Sequence, residues 1–139
     1  MPGLIRWSSA YQLRHPDIDQ EHEEFVQLLN GLHAKWQQQA GREVLRADLS
    51  KLVKVAVAHF RSEEKVMRHC KYEHYDLHKA DHDAFAAELL EFERRYAAGE
   101  AALDEALFDH LARWLRNHLI ASDRPMGRAI SRRRARSAR

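Results

Sequence analysis

Cysteine occurs once in the 139 residues, as Cys70. A lone cysteine excludes an internal disulfide framework and every multi-cysteine zinc or iron–sulfur pattern. Glycine and proline are also scarce, at five and three, which argues against a turn-rich β-sandwich and for a few long helices. Strand-type alternation and internal repeats are missing. No apolar run approaches the roughly 18 residues of a spanning helix. The opening Met1-Pro2-Gly3-Leu4-Ile5-Arg6 carries no signal-peptide apolar region, so a soluble cytoplasmic protein is the expectation. What is present is a balance of 45% apolar and 32% charged residues, enough for one core and one domain. Histidine is abundant: there are ten.

The net charge of +2 conceals two unlike parts. Residues 124–139 contain seven arginines and no acid, which leaves 16 basic against 21 acidic groups over residues 1–123. The body is therefore at −5, and the C-terminal run is strongly basic. Contact with nucleic acid or an anionic surface is one reading of such a run. No aromatic residue interleaves the arginines to stack on bases, so the expectation is a flexible, solvated tail over 124–139.

Four stripes at helical spacing organise the rest. The first is Ile18, His22, Phe25, Leu29, Leu32 and Trp36, preceded by Pro16 and by Asp17 and Asp19 as candidate caps. The second is Leu45, Leu49, Leu52, Ala56, His59, Glu63 and Met67. The third is Tyr75, His78, His82, Phe85, Leu89, Phe92 and Tyr96, closed by Gly99. The fourth is Leu103, Leu107, Leu111, Trp114 with Leu115, and His118, stopped before Pro125. Short joints between helices of this length predict an all-α, up-down-up-down four-helix bundle over residues 1–123, with an N-terminal arm of about 1–16. The joint at residues 69–74 has neither glycine nor proline, so its turn is inferred only from the change of phase.

Polar groups sit on the faces that should be buried. Any single core histidine is ordinarily satisfied by a carbonyl or a tyrosine. Five, drawn from four helices and accompanied by Glu63, are harder to satisfy, because burying each unpaired costs several kcal/mol. His59 and Glu63 overlie one another at a four-residue step, as do His78 and His82, which is the spacing at which two side chains grip one metal. Asp123 lies five residues beyond His118 and faces inward only if the helix distorts there, for which Pro125 supplies a reason. His15, His33, His69, His74 and His110 fall off the stripes or at helix ends and are expected to be exposed.

The fragments Asp19-x-x-His22, His59-Phe60-x-x-Glu63-Glu64-x-x-Met67, His78-x-x-x-His82-x-x-Phe85 and Trp114-Leu115-x-x-His118-x-x-x-x-Asp123 resemble, in that order, the hemerythrin family, and within it the bacterial single-domain hemerythrins. The likeness runs from about Trp7 to Asp123. It implies two non-haem irons with an oxo or hydroxo bridge inside the bundle. His78, His82 and His118 would bind one iron, His22 and His59 the other, and Glu63 and Asp123 would bridge them. It implies dioxygen as the ligand, taken at the iron with two histidines, in a pocket lined by Leu115 and Trp114, with Phe60 as a further candidate. It implies a binding protein rather than an enzyme. Two departures from the family pattern stand out: Cys70-Lys71-Tyr72-Glu73 at the second joint, and Arg124-Pro125-Met126 after Asp123.

Other chemistries fit less well. A carboxylate di-iron oxidase or ferritin-like protein needs Glu-x-x-His pairs, and the chain has none. A metal-dependent phosphohydrolase is suggested by His82-Asp83, but neighbours on a helix point about 100° apart. An oxygen, nitric oxide or redox sensor, or an iron-binding module using the same site, is the alternative that the residues leave open.

Overall fold

The computed structural model describes residues 4–13 and 15–137; residues 1–3, 14 and 138–139 of the expected arm and tail lie outside the described residues. A single 3-10 turn at Ser9–Tyr11 is followed by helices α1 (Pro16–Gln37), α2 (Arg42–His69), α3 (Tyr75–Ala97) and α4 (Glu105–Asn117). A π-helical turn, His118–Asp123, then leads into α5 (Arg124–Ser137). No strand occurs among the described residues, and the first four helices form the expected four-helix bundle. Its core is one continuous apolar cluster running from Ile5 and Leu29 through Leu52, Phe60 and Leu89 to Phe108 and Leu119. No described helix is long and apolar enough to cross a membrane.

The start of α1 differs from expectation. Neither Asp17 nor Asp19 caps it; the ring of His15 accepts from the Ile18 amide at 3.3 Å. Pro16 occupies the first helical position, which puts both acids inside the helix, beyond the cap. Asp19 instead accepts from the Leu13 amide at 2.7 Å. Asn30 clasps Ile5 through both backbone groups, at 2.8 and 2.7 Å. These bonds lay the N-terminal arm along α1.

Three helix ends close with the same hydrogen-bond pair. After α2, Lys71 donates to the Arg68 carbonyl and Tyr72 to that of Met67, the Schellman arrangement that satisfies two terminal carbonyls. It requires a left-handed residue. Gly99 fills that position after α3 at φ 78°, but Gln39 (φ 60°) and Lys71 (φ 54°) fill it after α1 and α2. The second joint is thus a sharp cap made without the customary glycine.

The C-terminal run is not a loose tail. Residues 124–137 form α5, and Met126 and Ile130 are buried with Leu13, Ile18 and Met67 in a second apolar cluster. Periodicity over the short segment Met126–Ile130 was outweighed in the sequence by the arginines around it. Gly127 permits the contact, because a Cβ there would stand 3.0 Å from the Leu13 Cβ.

A non-glycine residue in the left-handed region costs about 1 kcal/mol. Gln39→Gly and Lys71→Gly are each expected to stabilise the protein by about 0.5–1 kcal/mol. Denaturant midpoints at an unchanged slope check this; unchanged or lower midpoints would contradict it.

Candidate metal centre

Each bundle helix delivers polar groups to one interior point because its stripe carries them at core positions. His22 on α1, His59, Glu63 and Glu64 on α2, His78 and His82 on α3, His118 at the end of α4, and Asp123 are all buried, with Glu63, Asp123, His22 and His82 at 0% exposure. The π turn explains Asp123. Its i→i+5 hydrogen bonding brings residues five apart into register, so His118 and Asp123 share a face that an ordinary α-helix would deny them.

The two carboxylates stand between two groups of imidazoles. Glu63 Oε1 faces His22 Nε2 at 2.8 Å and touches His59 Nε2. Its Oε2 faces His78 Nε2 at 3.2 Å, His82 Nε2 at 3.3 Å and His118 Nε2 at 3.6 Å. Asp123 repeats the division: Oδ2 lies 2.9 Å from His22 Nε2, while Oδ1 lies 2.9 Å from His78 Nε2 and 3.1 Å from His118 Nε2. Two clusters result, Glu63–His78–His82–His118–Asp123 and His22–His59–Glu63–Asp123, with the ligand atoms in each within 4.8 Å of one another. Both carboxylates belong to both clusters.

The donor set fits a pair of cations. All five Nε2 atoms turn inward, and those of His82 and His118 stand 3.2 Å apart, where two neutral rings share at most one proton. Two of the outward nitrogens are held by acids. His59 Nδ1 bonds Glu21 at 2.8 Å, and Ser62 Oγ donates to the same carboxylate at 3.1 Å. His82 Nδ1 bonds Glu64 at 2.9 Å, and Arg61 donates to both Glu64 oxygens at 2.6 and 2.8 Å. His118 Nδ1 lies 3.5 Å from Asp81. A proton fixed on Nδ1 leaves the Nε2 lone pair free for a metal.

Glu21 and Asp81 were not singled out in the sequence, and Glu64 stood there only within a family fragment, with no role given to it. Each is the chain neighbour of an inward residue (His22, Glu63 and His82), and for Glu21 and Asp81 that was the only signal. His33, expected to be exposed, is buried between Trp36 and Phe108, with ring centroids at 5.9 and 4.8 Å. It follows Leu32 on the broad flank of the α1 stripe, where helix–helix packing is wider than a single row of residues. His69, His74 and His110 are exposed and His15 is half-buried.

The three apolar residues read as a ligand pocket are near the centre or in its core. Phe60 stacks on His82 at 4.4 Å, and Trp114 stacks on His118 at 4.6 Å and on Phe85 at 3.7 Å. Both rings therefore back the three-histidine group. Leu115 is buried in the core cluster.

With no cation bound, the histidines neutralise the acids. Burial pulls His22 and His78 down, but hydrogen bonds and charge from Asp123 and Glu63 overcome it and hold both near pH 9. His118 is well above its ordinary value and His59 is raised, again against burial. Burial pushes Glu63 and Asp123 up, yet the surrounding imidazoles hold both below the usual carboxylate range.

Linkage gives the sign. The raised histidines stabilise the metal-free fold fully below their unfolded value of 6.5, and that contribution is lost as pH rises through about 9. The depressed carboxylates contribute above their ordinary range and lose that contribution as pH falls. Metal-free protein should therefore melt lower at alkaline pH than near pH 6. Protons compete with cations for the same nitrogens, so added divalent metal should raise the melting temperature more as pH rises. Melting curves with and without metal test both; parallel curves would refute the linkage. Glu64→Gln should weaken metal binding by about 10–100-fold with helix content unchanged, as read by competition with a chromophoric chelator.

Known proteins resemble this chain in sequence and fold. The family described as "Hemerythrin HHE cation binding domain" matches residues 15–127. A bacteriohemerythrin of Stenotrophomonas maltophilia is 31% identical over 121 residues, covering 87% of this chain and 78% of that protein. One from Methylococcus capsulatus is 28% identical over 130 residues, covering 93% and 98%. The crystal structure of a wild-type hemerythrin superposes with a TM-score of 0.85 at 28% identity, over 92% of this chain and 98% of that one.

Proposed function

The chain belongs to the hemerythrin family, and from that premise we propose that it binds dioxygen reversibly at a pair of non-haem irons, as a carrier, store or delivery protein rather than an enzyme. The carrying observation is the division of donors: three histidines to one side, two to the other, and one oxygen of both Glu63 and Asp123 aimed at each. When bound, two ferrous ions would supply the electrons and the coordination position that take up dioxygen and return it.

The protein's part is positioning. His78, His82 and His118 would hold one ion and His22 and His59 the other, with Glu63 and Asp123 spanning both. The side with two histidines offers fewer protein donors, and a small ligand would enter there. Five of the seven donors are neutral, so the two carboxylates offset only part of the charge of two divalent ions, and a small bridging anion is favoured. A histidine-rich set donates less negative charge than a carboxylate-rich one, which favours binding and release over bond cleavage. Leu115, Phe60 and Trp114 keep the surroundings apolar, and excluding water limits proton delivery to the bound ligand.

The test is elemental analysis together with visible absorption of anaerobically reduced protein before and after oxygen is admitted. Two irons per chain and a colour that fades on purging with inert gas are expected. One iron, or immediate irreversible bleaching, would overturn the reading. Asp123→Asn, which weakens a shared donor, should lower iron content towards one per chain. Leu115→Ala should leave iron content unchanged and shorten the lifetime of the oxygenated form severalfold.

A further inference from the structure

Helix α5 has two faces. Met126, Gly127 and Ile130 turn towards the bundle and are buried, while Arg124, Arg128, Ser131 and Arg132 are exposed on the opposite face. Arg124, Arg128 and Arg132 recur every four residues, so they form a row stepping about 6 Å from one arginine to the next. That step is close to the phosphate repeat of an extended nucleic-acid strand.

The row is unpaired. Elsewhere on the surface Lys35 pairs with Asp48, Arg61 with Glu64 and Asp83, and Arg94 with Glu91, while isolated cations such as Lys51, Lys54 and Arg113 make no salt bridge among the described residues. None of Arg124, Arg128, Arg132 and Arg133 makes a salt bridge among the described residues. Like charges at four-residue spacing repel along a helix, so α5 gains stability from any partner that neutralises them.

The row is also flanked by space. On one side an open groove of about 640 Å³ runs between the N-terminal arm and α5, lined by Gln12, Arg124, Arg128, Ser131 and Arg132 and by no acid. On the other side a smaller groove of about 230 Å³ brings Tyr72, His74 and Pro125 to Arg128 and Arg132. The Tyr72 and His74 rings stand 5.6 Å apart and nearly perpendicular. The arginine run lacks aromatic residues in sequence, and the joint between α2 and α3 supplies them in space.

We propose that the arginine face of α5, with the Tyr72–His74 groove beside it, binds single-stranded nucleic acid, phosphates on the guanidinium row and bases against the aromatic rings. A cationic groove joined to a stacking surface is the usual combination for single strands. The remainder of the chain, at −5 over residues 1–123, disfavours a broad duplex and confines contact to this strip. Anchoring in a lipid surface fits less well, because the apolar face of α5 is already buried in the protein.

The experiment is fluorescence anisotropy of the full-length chain with labelled oligothymidine across about 50–200 mM salt. Four neutralised phosphates give a slope of log affinity against log salt of about −3. Arg128→Gln with Arg132→Gln should halve that slope, whereas Lys51→Gln with Lys54→Gln on α2 should leave it unchanged. Tyr72→Leu should weaken binding severalfold at every salt concentration, and Glu73→Gln, which removes the one acid lining the aromatic groove, should tighten it. All four sets of positions are exposed or half-buried, and circular dichroism confirms that each variant folds. Equal losses in the α2 and α5 variants, or no binding at the lowest salt, would overturn the proposal. So would tighter binding to phosphatidylglycerol vesicles than to the oligonucleotide.

Discussion

Two carboxylates buried among five imidazoles are the constraint on which this molecule is built. Neither Glu63 nor Asp123 is tolerable alone at zero exposure, because an isolated buried charge costs far more than the fold's net stability. Each is offset either by protonated histidine or by a cation, and both solutions need all four bundle helices in register. The bundle is therefore specified from its centre as much as from its apolar seams. A slip of one turn in any helix would leave an acid or a ring unpartnered.

The apolar packing serves the same point from outside. Phe60 and Trp114 lie nearly parallel to His82 and His118, at interplanar angles of 13° and 12°, and limit how those rings can tilt. Glu21 and Glu64 restrain ring rotation through the other nitrogen. The Arg61–Glu64 pair connects this inner order to the surface, since Arg61 also reaches Asp83, which Lys79 holds at 2.6 Å. Phe85, stacked on Trp114, completes the backing on the three-histidine side.

Much of this was legible in the sequence because long amphipathic stripes are the strongest local signal a chain carries. Four helices and the inward direction of His22, His59, Glu63, His78, His82 and His118 follow from spacing alone. Asp123 was half legible: its place was named, but the π turn that carries it inward depends on hydrogen bonding, which spacing does not encode. Glu21, Glu64 and Asp81 act across helices, so their partners are invisible along the chain. His33 is buried by a neighbouring helix rather than by its own stripe. Helix α5 escaped notice because its apolar contribution is only Met126 and Ile130, and what they pack on is Leu13, Ile18 and Met67, all distant in the chain.

The π turn also sets a reading frame. Between His118 and Asp123 the backbone holds one residue more than an α-helical turn requires. Winding the same six residues as ordinary α-helix would turn Asp123 about 140° away from His118, carrying the acid away from the rings and Met126 out of its socket in one stroke. The joints at 38–41 and 98–104 carry no group of the centre, and their length is free to drift. This six-residue segment is held to its wide winding by the centre on one side of it and the docked helix on the other.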